Sequence, residues 1–314
     1  FDGHRITSIT FAEGSLVRSI GAYAFRFGDY RAQRNADKAI SIPASVTSVG
    51  DGAFANWYKL SVTIESGENA LAFGNGVFAD CEIDTLTLPK NVTALPNFFS
   101  GLLVGEIVVD KENPVFLSLD GVLYTKNANN DPDVLLLYPS GKTGSSYEIP
   151  NTVTAIANMA FAYTGVSSVT IPSSVKTIGD GAFYYTSRLS TITIPSSVTH
   201  IGKEAFVSSG IGTVVFEDGD TPLTIGERAF FQTKITSIVL PERVKTIEAY
   251  AFYKTRKATT LSLGGVETIG DHAFDTCLAS GEVLLPATLR SLGEYAFNYA
   301  YKVTAFTFAP NAKL

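Results

Sequence analysis

The stretch LSTITIPSSVTHIGKEAFVSSG, Leu189 to Gly210, decides the fold. Its apolar set is Leu189, Ile192, Ile194, Val198, Ile201, Ala205 and Phe206. Ile192 and Ile194 alternate with Thr191 and Thr193, the period-two signature of a strand with one buried face. Pro195 follows and ends the strand, because proline cannot donate to a sheet ladder. Prolines hold the same place at Pro43, Pro89, Pro150, Pro172, Pro241 and Pro286. The segment around Ala205-Phe206 reads as one helical or 3₁₀ turn.

Outward from this stretch the pattern recurs. The repeat phenylalanines read Phe25, Phe54, Phe78, Phe99, Phe161, Phe183, Phe206, Phe230, Phe252, Phe274 and Phe297, and from Phe161 onward the spacing is 22 to 24 residues. Such a period means a solenoid. A lone unit buries too few side chains to offset the backbone entropy of ordering it, so stability comes from stacking neighbours. Three residues before the Phe stands a column of Asp51, Asn75, Asn158, Asp180, Lys203, Glu227, Ala249, Asp271 and Glu294, which reads as N-caps; a ligand-binding charge column is the alternative, which Lys203 and Ala249 interrupt. One residue earlier stand Gly21, Gly50, Gly179, Gly202, Gly226, Gly270 and Gly293, but Pro96, Ala157 and Glu248 share the place. Proline is locked near φ −65°, so these glycines read as close-packing residues and not as a required positive φ.

The pattern Leu-x-x-Ile-x-Ile-Pro-x-x-Val-x-x-Ile-Gly-x-x-Ala-Phe, as in 189 to 206, resembles the BspA-like (Treponema pallidum type) class of leucine-rich repeats. The resemblance covers nearly the whole chain. It implies a curved leucine-rich repeat solenoid, mostly β with short turns or 3₁₀ segments, with a parallel sheet on its concave face. It also implies an exported or surface-displayed protein of a host-associated bacterium with a role in adhesion.

Two places depart from the period. Phe25 to Phe54 holds about six surplus residues, an insertion at 28–38 with Arg31, Arg34 and Lys38 against Asp29 and Asp37, read as a solvated loop or a partner-contacting protrusion. From 106 to 148 runs an irregular variant unit, with strands expected in 110–126 and 134–142 and a hairpin turn at Asp120-Gly121. We read 1–314 as a single solenoid: repeats over 1–105, the variant unit, then regular repeats over 149–314. The connecting loop 127–133, NANNDPD, lacks the Glu and Gly of an EF-hand loop, which counts against Ca²⁺ there.

Composition excludes several function classes. The 314 residues carry 24 Lys+Arg against 30 Asp+Glu, a formal charge of −6 with no basic block, which argues against phosphate-driven binding of nucleic acid. No run approaches the ~18 apolar residues of a membrane span. The numbering opens at Phe1 without an export signal, which we read as removed, and the uncapped ends suggest a fragment of a longer protein; the expected location is extracellular or at the cell surface. Cys81 and Cys277 both lie three residues after a repeat Phe, on the order of 34 Å apart at ~4.8 Å per step, too far for a disulfide, and read as buried column residues. His4, His200 and His272 occupy different repeats and build no metal or nucleophile site. No fixed carboxylate pair is assembled either, so no catalytic residue, cofactor or metal is expected.

What remains is surface. Strand-exposed positions include Ser168, Thr170, Thr191, Thr193, Thr213, Val215, Ser237, Val239, Thr260, Ser262, Glu282 and Leu284, a nearly neutral, hydroxyl-rich concave face. It reads either as a solubilising strand surface or as a contact surface for a protein or glycan; ice binding by its Thr array fits poorly, since Val215, Val239 and Glu282 break the lattice. A second candidate is an aromatic edge at Tyr163, Tyr184, Tyr253 and Tyr299, which either packs beneath the turns or is exposed for interfaces or sugars. Tyr184 and Tyr185, if extended, point in opposite directions. The expected function is non-catalytic recognition or adhesion toward a host or neighbouring-cell macromolecule, an extracellular protein; a glycan-binding module and a structural spacer of a larger envelope protein are the alternatives.

Overall fold

The computed structural model describes residues 6–28, 38–97, 99 and 101–310. It divides into two compact units, Phe1–Asp131 with Leu137–Thr143, and Pro132–Leu136 with Gly144–Leu314. Each is a β-solenoid of stacked parallel strands, and no helix occurs among the described residues.

In the larger unit each repeat supplies two strands. The first ladder holds the strands anticipated before each proline, such as Thr191–Ile194 beside Thr213–Phe216 and Ser237–Val239 beside Thr260–Ser262. The second ladder was not anticipated. It runs without interruption through Ala155–Ile156, Thr177–Ile178, His200–Ile201, Leu223–Ile225, Val244–Ile247, Thr268–Ile269 and Ser291–Leu292. Most of these strands are two residues long, too short to carry an alternation signal. The smaller unit repeats the plan, with Lys38–Ile42, Leu60–Ile64 and Glu82–Leu88 in its first ladder and Ser19–Ile20, Ser48–Val49 and Ala72–Phe73 in its second.

The Ala-Phe segment is not helical, contrary to the sequence expectation. In the repeat at 202–209 the N–H groups of Ala205, Val207 and Ser209 close three successive turns on Gly202, Glu204 and Phe206. Those of Glu204, Phe206 and Ser208 instead reach the carbonyls of Glu227, Ala229 and Phe231 in the next repeat. A helix would use every N–H within its own segment; here half of them weld neighbouring repeats. Left-handed residues flank the Phe on both sides, Glu204 at φ 58° and Ser208 at φ 52°. The same two positions are left-handed in the other regular repeats, as at Gly181 and Tyr185 or His272 and Thr276.

The capping column therefore works between repeats. Asp180 Oδ1 accepts the N–H of Lys203 at 2.8 Å, Asn158 Oδ1 that of Asp180 at 2.8 Å, and Asp271 Oδ1 that of Glu294 at 2.7 Å. Where Asp is absent the acceptor changes: the N–H of Glu227 is met by Glu248 from the following repeat at 2.9 Å. The glycines before this column have ordinary φ, and all but Gly21, which faces open space, pack closely as expected. A Cβ on Gly202 would sit 2.6 Å from the Asp180 backbone nitrogen, and one on Gly179 2.6 Å from that of Asn158.

The core is a file of phenylalanine rings. Phe161, Phe183, Phe206, Phe230, Phe252, Phe274 and Phe297 stack at 4.8 to 5.3 Å with interplanar angles of 3° to 7°. In the smaller unit Phe25, Phe54 and Phe78 continue the same device at 5.6 and 5.7 Å. Phe99 holds the repeat-Phe place of its turn: Asn97 at φ 40° and Gly101 at φ 64° flank it as the left-handed pair flanks the other repeat phenylalanines, and the Leu102 N–H closes on its carbonyl at 3.2 Å. Asn97 Nδ2 donates to Asn75 Oδ1 of the preceding repeat at 3.1 Å.

The variant unit contains an antiparallel hairpin, Phe116–Leu119 against Val122–Lys126. Asp120 and Gly121 are both left-handed, the conformation a two-residue hairpin turn requires. Buried Asn113 anchors the approach to it, donating to the carbonyls of Pro89 and Val92 and accepting the N–H groups of Val115 and Phe116. In the 127–133 loop, Asn127 Oδ1 accepts the N–H groups of Asn129 and Asp131, so its carbonyl is engaged in closing the loop. Of the insertion at 28–38, residues 29–37 lie outside the described residues. Lys38 is not a loop residue: it opens a strand, is buried, and donates to the Tyr58 carbonyl at 3.2 Å.

Candidate functional site

Parallel pairing in register brings the predicted strand-face residues side by side. Thr191 pairs with Thr213 and Thr193 with Val215; Ser237 pairs with Thr260 and Val239 with Ser262. Glu282 and Leu284 lie opposite Ala305 and Thr307, while Ser168 and Thr170 lie opposite Ser146 and Glu148. All twelve named residues are exposed except Ser237, which is half-buried. Three of them are large apolar groups left open to solvent, Val215 at 46%, Val239 at 56% and Leu284 at 57%. The buried partners of the same strands, such as Ile192 and Ile194, show that alternation sets this face.

The predicted aromatic edge turns out to be two columns. Tyr163 and Tyr299 occupy the exposed left-handed position after each Phe, whereas Tyr184 and Tyr253 occupy the half-buried position directly after it. Tyr163, Tyr184 and Tyr185 form one cluster with centroids 4.7 to 5.7 Å apart. Tyr184 and Tyr185 therefore do not point in opposite directions: the left-handed φ of 54° at Tyr185 folds the two rings together. Burial raises the Tyr184 phenol above the usual tyrosine range, and the neighbouring Tyr163, Tyr185 and Glu204 push the same way.

A third column, two residues before the Phe, was missed. Arg228 lies over the Tyr250 ring at 5.2 Å, Tyr250 stacks on His272 at 4.8 Å, and His272 stacks on Tyr295 at 5.1 Å. His272 Nδ1 lies 2.7 Å from buried Asp275 Oδ2, which also accepts from Asn298 Nδ2 at 3.1 Å. With tyrosine on both ring faces, this histidine is a stacking element of the rim. Aligning the repeats on the Phe and reading two places upstream is the signal that finds it.

Between the two aromatic clusters the rim drops. An open depression of about 350 Å³ is lined by Tyr184, Tyr185, Glu204, Val207, Arg228 and Phe231, among others. Around it Arg228 Nη1 lies 3.6 Å from Glu204 and 3.4 Å from Glu227, and Lys203 lies 3.0 Å from Glu227.

The cysteines are buried and free. Cys81 Sγ donates to the Phe54 carbonyl at 3.0 Å, and burial pushes its thiol up to about 12. Burial raises the Cys277 thiol in the same direction. The Thr residues of that column, Thr164, Thr186, Thr233 and Thr255, each donate to the carbonyl of their own repeat Phe, a fastening inside the turn. Among the described residues no three His, Cys, Asp or Glu side chains gather as a metal site, and His200 and His272 stand apart on the second ladder and the rim. Among the same residues no helix is long and apolar enough to cross a membrane.

Residues 32–102, 141–223 and 223–313 match the family model of the BspA type leucine rich repeat region, in six copies. The chain is similar to the crystal structure of a leucine-rich repeat protein from Eubacterium ventriosum, with 25% identity, TM-score 0.68, and coverage of 96% of this chain and 81% of that one. It is also similar to the pneumococcal vaccine antigen PcpA, with 20% identity, TM-score 0.61, and coverage of 98% and 75%, a likeness of fold. No curated protein matches the chain.

Proposed function

The chain belongs to the BspA-type leucine-rich repeat family, and from that premise we propose that it is a non-catalytic recognition module, displayed outside the cell or at its surface, that binds an extracellular protein of a host or neighbouring cell. Leucine-rich repeat scaffolds typically serve as protein-interaction modules, which present an extended concave surface. The likeness to a pneumococcal vaccine antigen supports the surface location.

The observation that carries this reading is the exposed apolar pair Val215 and Val239 set within rows of Thr and Ser hydroxyls on the first-ladder face. Hydroxyls donate and accept with little charge to desolvate, and isolated valines add apolar contact. The test is label-free binding of the purified chain to immobilised extracellular matrix proteins, with Thr191, Thr193, Thr260 and Ser262 all replaced by Arg. Loss of binding by a folded variant is the expected result. Undiminished binding would remove the strand face from the contact, and no saturable binding to any matrix protein would remove the adhesion reading.

A further inference from the structure

We propose that the notch on the turn rim at Val207 is a binding site for a neutral pyranose ring, one unit of a glycan chain. It lies on the turns and uses none of the strand-face residues, so it stands or falls separately from the protein-binding face.

The notch follows from the repeat. The position directly after each Phe carries Tyr184, Val207, Phe231 and Tyr253 in consecutive repeats. Three are aromatic and one is a small aliphatic. The repeats beneath are regular, with Phe183, Phe206 and Phe230 stacked at 5.0 Å per step. Val207 is the short side chain between Tyr184 and Phe231 of the flanking repeats, and all three line the depression. The resulting depression of about 350 Å³ lies at the small end of the range of ligand pockets.

The rim decides what fits. An aromatic face is electron-rich, and the axial C–H bonds of a pyranose present weakly positive hydrogens to it. The edge of such a ring is studded with hydroxyls that need partners. The lining of the depression supplies them: Glu204 as acceptor, Arg228 as donor, and the Ser208 hydroxyl and Gln232 amide. An apolar side chain from a protein would leave those groups facing a partner that cannot bond them, at a cost for each. Charge argues for a neutral ligand. Arg228 is held between Glu204 and Glu227, and Lys203 is paired with Glu227, so both cations are already engaged, while Lys254 lies over the Phe231 and Tyr253 rings at 5.9 and 5.0 Å. An anionic sugar would have to compete with Glu204 and Glu227 for Arg228.

The test is saturation-transfer NMR and titration calorimetry on the chain with cellotriose, maltotriose, mannotriose and N-acetyllactosamine, and with sialyllactose as the anionic control. We expect saturable binding of at least one neutral sugar, preferred over sialyllactose. Val207→Tyr fills the notch with the residue this column already holds at Tyr184 and Tyr253 and is expected to weaken that binding more than tenfold at unchanged melting temperature. Phe231→Ala removes a lining ring and is expected to weaken it as well, a check that does not depend on how the first variant folds. The proposal is overturned if no neutral sugar saturates at about 10 mM, if Val207→Tyr binds as well as the parent, or if the notch takes up N-acetyl-phenylalaninamide in preference to every sugar. The strand-face Arg variant keeps its sugar binding if the notch is the site, which separates the two readings.

Discussion

Inside each turn the phenylalanine file hardly varies, while the three columns around it on the outside share almost nothing. The rings of Phe183, Phe206 and Phe230 repeat at 5.0 Å and within 7° of parallel. One residue further along, the same repeats carry Tyr184, Val207 and Phe231; two residues before the Phe they carry Gly181, Glu204 and Arg228. The backbone is the same in both places, with identical left-handed positions and identical hydrogen bonds to the next repeat. Interior positions are thus under a packing constraint that outer ones escape. Variation confined to the outside of a fixed scaffold is what a recognition surface needs.

The largest expected effect comes from breaking the interior. Phe206→Ala removes a fully buried ring stacked on both neighbours and is expected to cost about 3–5 kcal/mol in chemical denaturation. A cost below about 1 kcal/mol would show that the file is not the source of cohesion. Next comes Gly202→Ala. Its Cβ would meet the Asp180 backbone nitrogen at 2.6 Å, so the repeats must separate, at about 1–3 kcal/mol. Gly212→Ala is the control: its nearest neighbour lies at 3.8 Å, and a change within about 0.5 kcal/mol is expected. Equal costs at the two sites would deny that the glycine column sets repeat spacing.

Alkaline pH probes the interior without a mutation. The Cys81 thiol ionises near 9.0 when unfolded and at about 12 when buried, so its contribution to stability is complete below pH 9 and fades as pH rises from 9 toward 12. That is about 1.4 kcal/mol for each pH unit in the window. Cys81→Thr installs the column's usual residue and is expected to remove that slope between pH 9 and 10. An unchanged slope would mean that the thiol is not sequestered in the native turn.

These contrasts also separate what could be read in the chain from what could not. The first ladder was legible because Ile192 and Ile194 alternate with threonines, and parallel pairing then lined up Thr191 with Thr213. The DG turn at 120–121 was legible because only left-handed-tolerant residues fit it. The second ladder was not, since Thr177–Ile178 and its counterparts are too short to alternate. The turn was misread as helical because a cap, small residues and an apolar pair belong equally to a helix start and to turns that bond the next repeat. The notch was invisible for a related reason: a lone valine means nothing until its column neighbours are known to be aromatic.

The smallest effect tests the outer surface most directly. The left-handed position after the repeat Phe holds Asn56, Asp80, Tyr163, Tyr185, Ser208, Gln232, Lys254, Thr276 and Tyr299, and among the described residues glycine only at Gly101. A left-handed non-glycine residue costs roughly 1–2 kcal/mol, and the companion column before the Phe relieves that strain with glycine at Gly52, Gly76 and Gly181. Ser208→Gly is therefore expected to raise stability by about 0.5 kcal/mol, since relief of strain is partly offset by the freedom glycine gains when unfolded. The Ser208 hydroxyl makes only a 3.5 Å contact with Gln232, too long to hold the turn together. A gain means that the repeat tolerates strain here to keep a side chain on the rim, which is how a site selected for contact and not for folding behaves. A loss of more than about 1 kcal/mol would make that side chain part of the fold, and the division between a constant interior and a free exterior would fail at the position where the notch depends on it.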